Sequence, residues 1–152
     1  MKALILALCF FLSNFAVAQQ NQTSTRNLAP IYVVNGKILE YDDFLKLMLP
    51  QDIELMTILK PAAASSLYGS RAVSGALAIT LKPNIKLLPY HKLLKKFRVK
   101  KSDRQYVAYI DNQPIQNTSE FYASPSWIKE IRKQNRNNGM ADIPYLNIIS
   151  NK

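Results

Sequence analysis

The sequence predicts an α+β fold, a small mixed sheet carrying short helices, and three observations lead there. Asn35-Gly36 lies between Pro30-Ile31-Tyr32-Val33-Val34 and Lys37-Ile38-Leu39-Glu40, and this dipeptide suits a hairpin turn whose two central residues take positive φ. Pro61 opens an alanine-rich stretch that stops at Gly69, the proline-first, glycine-last order of a short helix. Ala76–Leu81 alternates, with Leu77, Ile79 and Leu81 on one face and Ala76, Ala78 and Thr80 on the other, where small side chains admit a close neighbour.

The elements follow in order. Residues 1–18 read as a secretory signal peptide. Lys2 supplies the positive start, residues 3–12 form an unbroken apolar run, and Ala16-Val17-Ala18 is a small-x-small cleavage site. The run is shorter than the roughly 20 apolar residues of a membrane-spanning helix. Residues 19–27 are polar and aperiodic, a disordered lead-in. Residues 28–82 hold the hairpin, then a helical turn over 42–49 with Asp42 or Asp43 as its cap, a strand at 53–59, the helix after Pro61, a turn at 70–75 and the alternating strand. Residues 83–105 read as a basic linker in which 90–99 can form a short helix with Leu93, Leu94 and Phe97 on one side.

Residues 106–152 echo the earlier block. Tyr109-Ile110-Asp111-Asn112-Gln113-Pro114-Ile115 is similar to Tyr32-Val33-Val34-Asn35-Gly36-Lys37-Ile38 at an offset of 77. Ile131 then matches Ile58 at an offset of 73, and Leu146 matches Leu77 at 69. The alanine helix is replaced by 134–139, a loop composition. Both a degenerate second half-copy and chance likeness of two hairpins fit this pattern.

Composition bounds the chemistry. The net charge of +10 invites a nucleic-acid reading, which the expected export opposes. The charge is also local: residues 83–105 carry eight basic side chains against Asp103, while 27–82 balance five against five. Lys92, Lys95, Lys96, Arg98, Lys100 and Lys101 could meet an anionic envelope lipid, or could be a solvated stretch that holds two halves apart. One cysteine and one histidine exclude an internal disulfide and a Cys/His zinc site; no cofactor or metal is implied. Cys9 follows Leu8 inside the apolar run, which is no lipidation site.

Ser65, Ser66, Ser70 and Ser74 have His91 as their single candidate base, with no acidic orienter nearby, so catalysis is not expected. Asp42, Asp43, Asp52 and Glu54 lack calcium-loop spacing and read as caps and surface charges. Gly69-Ser70-Arg71-Ala72-Val73-Ser74-Gly75 lacks the Lys-Ser/Thr of a phosphate loop and follows its helix instead of preceding one. A structural Arg71 is favoured over a ligand-binding one.

The ordered series Pro30 to Gly36, Pro50-Gln51-Asp52-Ile53-Glu54, Ile58-Leu59-Lys60, Ala62-Ala63-Ala64, Leu67-Tyr68-Gly69-Ser70-Arg71-Ala72, Gly75, and Ile79-Thr80 with Lys82 resembles the plug domain of TonB-dependent outer-membrane receptors, nearest the SusC-like branch of Bacteroidetes. Tyr32, Asn35, Gly36, Tyr68, Gly69, Ser70, Arg71 and Gly75 carry the motif. The resemblance implies a plug-like α+β domain and an envelope location, in the periplasm or at the outer membrane. In such receptors the plug closes the barrel and moves when TonB pulls on it. Here Asn35 stands for the family's acidic hairpin residue and Pro61 for its acidic helix-opening residue. The 70 residues after Lys82 are too few for a barrel, so transport is not carried over. The expectation is an exported, non-catalytic, stand-alone plug-like module. It would dock to an outer-membrane receptor, a transport-complex protein or a periplasmic partner. The alternative is a cationic protein that binds the envelope surface through 92–101. Free sheet edges suggest docking by strand addition.

Overall fold

The computed structural model describes residues 29–39, 41–137 and 142–152. The expected signal peptide, lead-in and Cys9 lie outside the described residues, as does part of the expected 134–139 loop. The described residues form two four-stranded sheets and a two-stranded ribbon. The first sheet contains β1 (Ile31–Val34), β2 (Lys37–Leu39), β3 (Ile53–Leu59) and β4 (Ala76–Leu81), in the order β2-β1-β4-β3. Helix α1 (Pro61–Tyr68) joins β3 to β4. It starts on its proline and ends on Gly69 at φ 71°, both as the sequence predicts. The ribbon pairs β5 (Leu88–Pro89), which leads into α2 (Tyr90–Lys96), with β8 (Tyr122–Ala123). The second sheet contains β6 (Ala108–Ile110), β7 (Gln113–Pro114), β9 (Ile128–Asn137) and β10 (Asp142–Ser150), in the order β7-β6-β10-β9.

The two sheets share one topology. Each has an antiparallel hairpin (β1–β2, β6–β7), a parallel central pair (β1–β4, β6–β10) and an antiparallel outer pair (β3–β4, β9–β10). Registers correct two of the sequence offsets. Val34 faces Lys37 as Ile110 faces Gln113, and the positive-φ turn residues are Asn35-Gly36 and Asp111-Asn112, so the hairpins align at 76, not 77. Leu77 pairs with Ile58 and Leu146 with Lys133, so the outer strands align at 75, not 73. The central strands align at 69. The turn side chains do the same work in both hairpins: Asn35 Oδ1 accepts the Leu81 N–H at 2.8 Å, and Asp111 Oδ1 accepts the Ser150 N–H at 3.0 Å. Residues 134–137 are strand, not loop. Pairing with Tyr145, Pro144, Ile143 and Asp142 of β10 overrides their polar composition.

One core lies between the sheets. It takes Val34, Leu39, Phe44, Ile79 and Leu81 from the first half and Ala108, Ile110, Phe121, Trp127 and Ile148 from the second. Alternation on β4 works as expected. Ile79 and Leu81 enter this shared core with Leu77 packed beside it, while Ala76 lies in a second cluster with Ile31, Val33 and α1's Ala64.

The stretch 83–105 is not a spacer. Leu93 and Leu94 of α2 are fully buried, and Leu93 belongs to the shared core, so this segment binds the halves together. Helix α2 ends at Lys96 in a Schellman motif. Arg98 takes φ 55°, the Val99 N–H donates to Leu94 O at 2.9 Å, the Arg98 N–H donates to Lys95 O at 3.1 Å, and Leu94 and Val99 share a cluster.

Tyr90 stands at the head of α2 with its ring edge-on to Phe121, centroids 6.2 Å apart. Its hydroxyl is buried and has no hydrogen-bond partner among the described residues, and burial pushes its pKa up to about 12. The folded chain therefore holds this proton more tightly than the unfolded chain. The stability linked to it is complete below the unfolded value of 10.0 and is lost as pH rises toward 12. Tyr90→Phe removes the orphaned hydroxyl while keeping the ring. It is expected to raise stability by about 1 kcal/mol at neutral pH and to flatten the loss above pH 10. Urea melts of both proteins at pH 7 and pH 11 measure this, and a destabilised variant at pH 7 would contradict it.

Candidate functional site

The motif residues are mostly structural. Tyr32 on β1 is half-buried, edge-on to Phe44 with centroids 5.6 Å apart; burial, then the Asp42 charge, raises its pKa. Asn35 and Gly36 make the hairpin turn. Tyr68 packs onto the Ile31–Val33–Ala64 cluster. Gly75 has φ 98°, and a side chain there would come 2.8 Å from Leu59 O, so only glycine fits. Ser65 Oγ donates to Ala72 O at 3.2 Å, which fastens the turn after α1. Ser70 is exposed and precedes Arg71. Arg71 lines an open cavity of about 200 Å³ with Lys37 and Glu120, a wall drawn from both halves.

Asp42 and Glu54 are exposed surface charges, as expected, but Asp43 and Asp52 are neither caps nor plain surface charges. Asp43 is 1% exposed, and its carboxylate accepts from Lys46 Nζ at 2.9 Å and from the Gln116 N–H at 2.8 Å. Asp52 accepts from Trp127 Nε1 at 2.7 Å. The Gln116–Asp43 and Trp127–Asp52 bonds cross between the halves. Under the sheet correspondence, Asp52 and Trp127 occupy equivalent places: each closes a 3-10 turn (Pro50–Asp52, Pro125–Trp127) and offers its carbonyl to the residue after the last strand, Lys82 or Asn151.

The outer face of the second sheet escaped the sequence reading. Asn147 is fully buried in β10; its Nδ2 donates to Asn112 Oδ1 and Gln134 Oε1, both at 2.8 Å, and its Oδ1 accepts the Asn112 N–H at 3.1 Å. The Tyr145 hydroxyl lies 3.0 Å from Gln134 Oε1, and its ring is 4.7 Å from that of Tyr109. The matching positions of the first sheet are Ala78, Gly36, Leu59, Ala76 and Val33, where α1 covers the face. Among the described residues no helix covers this face, and the second half carries aromatic and amide side chains there that satisfy one another. An asparagine inside the apolar run Tyr145-Leu146-Asn147-Ile148 was the available signal.

Lys92, Lys95, Lys96, Arg98, Lys100 and Lys101 are all exposed, opposite the buried Leu93 and Leu94. Arg104 differs: Nε and Nη2 both donate to Val99 O, at 3.1 and 2.9 Å. His91 is exposed on α2.

The sheet edges differ sharply. β2 has three residues and β7 two, one of them Pro114. β9 is long but guarded by Lys129, Glu130, Arg132, Lys133 and Arg136. β3 is seven residues long with Glu54 as its one charge, and Leu55, Met56 and Ile58 are 59%, 46% and 81% exposed. Among the described residues no second strand pairs with it. Also among them, no helix is long and apolar enough to cross a membrane, and no group of three His, Cys, Asp or Glu could hold a metal.

Two curated proteins are similar over part of the chain. The TonB-dependent receptor SusC of Bacteroides thetaiotaomicron is 37% identical over 59 residues, covering 35% of this chain and 6% of the receptor. The TonB-dependent receptor P39 of Formosa agariphila is 41% identical over 54 residues, covering 36% of this chain and 5% of the receptor. The chain thus spans about a twentieth of these relatives, and about a third of it is receptor-related. No family model matches, and no solved structure matches at a significant level.

Proposed function

We propose that this chain is an exported, non-catalytic interaction module with a plug-like first half and a degenerate second half-copy. It works in the periplasm or at the outer membrane and docks to a receptor or transport-complex protein there. The observation that carries the reading is the β3 edge. An unguarded strand with three exposed apolar side chains is a surface suited to accepting another strand. The receptor-related third of the chain supports the envelope setting. The motif residues support a scaffold role, because Asn35, Gly69 and Gly75 are taken up in turns.

The alternative is a cationic protein that binds anionic lipid. The continuous exposed basic face of α2 and the residues after it favours it, from Lys92 to Lys101. Cross-linking in the native envelope, followed by detergent pull-down and mass spectrometry, tests the first reading. Recovery of an outer-membrane receptor or transport protein is expected. Recovery of the chain without any envelope protein, together with salt-sensitive binding to anionic vesicles, would favour the alternative.

A further inference from the structure

We infer that the β3 edge is occupied by β3 of a second copy, so that two chains join into one continuous eight-stranded sheet. The inference takes from the reading above that β3 is a docking edge, and commits that edge to a second copy in place of an envelope partner.

Three observations lead to it. The topology leaves β3 at the rim of its sheet, as β9 lies at the rim of the other. β9 carries five charged residues along its length; β3 carries one. Residues 55–59 are Leu-Met-Thr-Ile-Leu, an uninterrupted β-favouring run whose central three residues are all exposed.

The sequence of the edge is also complementary to itself. In an antiparallel pair with Thr57 on the two-fold axis, Leu55 faces the partner's Leu59 and Met56 faces the partner's Ile58. Just beyond this regular stretch, Glu54 in the β3 bulge comes beside the partner's Lys60, the residue that follows β3, at both ends of the pairing. Glu54 and Lys60 are exposed in the single chain. Shifting the axis to Met56 sets Glu54 against Ile58 and Lys60 against Asp52, whose Oδ2 already accepts the Trp127 indole. Shifting it to Ile58 sets Lys60 against Met56. The Thr57 axis alone matches apolar with apolar and charge with opposite charge, the pattern that stabilises cross-strand pairs. The β3 bulge lies between Ile53 and Leu55, at one end of this stretch, and leaves 55–59 regular. The interface is isologous, as two-fold dimers require.

Cysteine substitution reads the register directly. Cys9 is the one cysteine of the sequence, so the unsubstituted chain is the control. On the two-fold axis, residue 57 lies about 5 Å from its counterpart, within disulfide reach. Residue 55 lies about 13 Å from its own counterpart, four positions along the strand and out of reach. Thr57→Cys is therefore expected to form a disulfide-linked dimer on mild oxidation. Leu55→Cys and Leu59→Cys are each expected to stay unlinked alone and to link when mixed. Sedimentation of the unsubstituted chain is expected to show a concentration-dependent dimer. Glu54→Lys should weaken it about tenfold, and Glu54→Lys with Lys60→Glu should restore it.

A monomer at every concentration up to about 1 mM, the weak end of specific association, would overturn the inference. So would a dimer whose cross-links ignore this register. A monomer that still brings down an envelope protein overturns the dimer and supports docking. A register-true dimer that brings down nothing supports the dimer and counts against docking to an envelope partner.

Discussion

Replacing Trp127 with alanine is expected to cost about 3–5 kcal/mol of folding stability, a large part of the roughly 5–15 kcal/mol available to a domain. Trp127 is fully buried in the core between the sheets, and it is the largest of the fully buried side chains. Its removal loses the transfer energy of the indole and leaves a cavity that two rigid sheets cannot close. It also deletes the donor to Asp52. Trp127→Phe separates these contributions. The ring still fills most of the space, but Asp52 loses its N–H. Because Asp52 is only half-buried, water can replace the indole, and the expected cost falls to about 1–2 kcal/mol. A double-mutant cycle of Trp127→Phe with Asp52→Ala should then show coupling of about 1 kcal/mol. Chemical denaturation measures all four proteins. If Trp127→Ala melts within about 0.5 kcal/mol of the unsubstituted chain, as harmless surface changes do, the shared core is not what holds the halves together.

What could be read from the sequence was local. Asn35-Gly36, Pro61 to Gly69 and the alternation of Ala76–Leu81 each fix their own backbone within a few residues, and each appears where expected. The α+β class follows from them. The second half is visible too, but its hairpin aligns one residue away from the offset that residue identity favours. Matching Tyr32 to Tyr109 favours 77, whereas the turn dihedrals follow backbone chemistry, in which Asp111 can stand for Asn35 and Asn112 for Gly36. Long-range partners left no local trace. Asp43 looks like a helix cap until its carboxylate meets the Gln116 N–H, 73 residues away, and Asp52 looks exposed until Trp127 meets it across 75. The segment 83–105 misled for a different reason. Its eight basic residues dominate the composition, while Leu93 and Leu94, which decide its place, are two residues in a short helix. The bareness of β3 could not be read at all, because strand order decides which strand is an edge.

Cutting the chain between the halves is expected to leave two pieces that fold only together. A fragment of residues 29–82 would expose Val34, Leu39, Phe44, Leu47, Ile79 and Leu81 to water, all buried in the intact chain. A fragment of residues 83–152 would expose Leu93, Ile110, Ile115, Phe121, Trp127 and Ile148. Pieces of this size bury too small a fraction of their surface to offset chain entropy once one face of the sheet is uncovered. The smaller cluster under α1, with Ala64, Ala72 and Ala76, is too thin to serve as a core. Each fragment alone should lack a cooperative melt and bind hydrophobic dye. Mixed in equal amounts, they should recover sheet signal and form a one-to-one complex, because equivalent residues line both sides of the join: Val34 and Ile110, Leu39 and Ile115, Phe44 and Phe121, Ile79 and Ile148, with the Asp52–Trp127 bond between them. Circular dichroism and light scattering of the separate and mixed fragments decide it. If the 29–82 fragment melts cooperatively by itself, the first half carries its own core and the second is an appendage. If neither folds alone and the mixture does, the molecule behaves like a dimer of half-copies whose subunits are covalently joined through α2, and a β3-mediated dimer of whole chains would then hold one eight-stranded sheet flanked by two four-stranded ones.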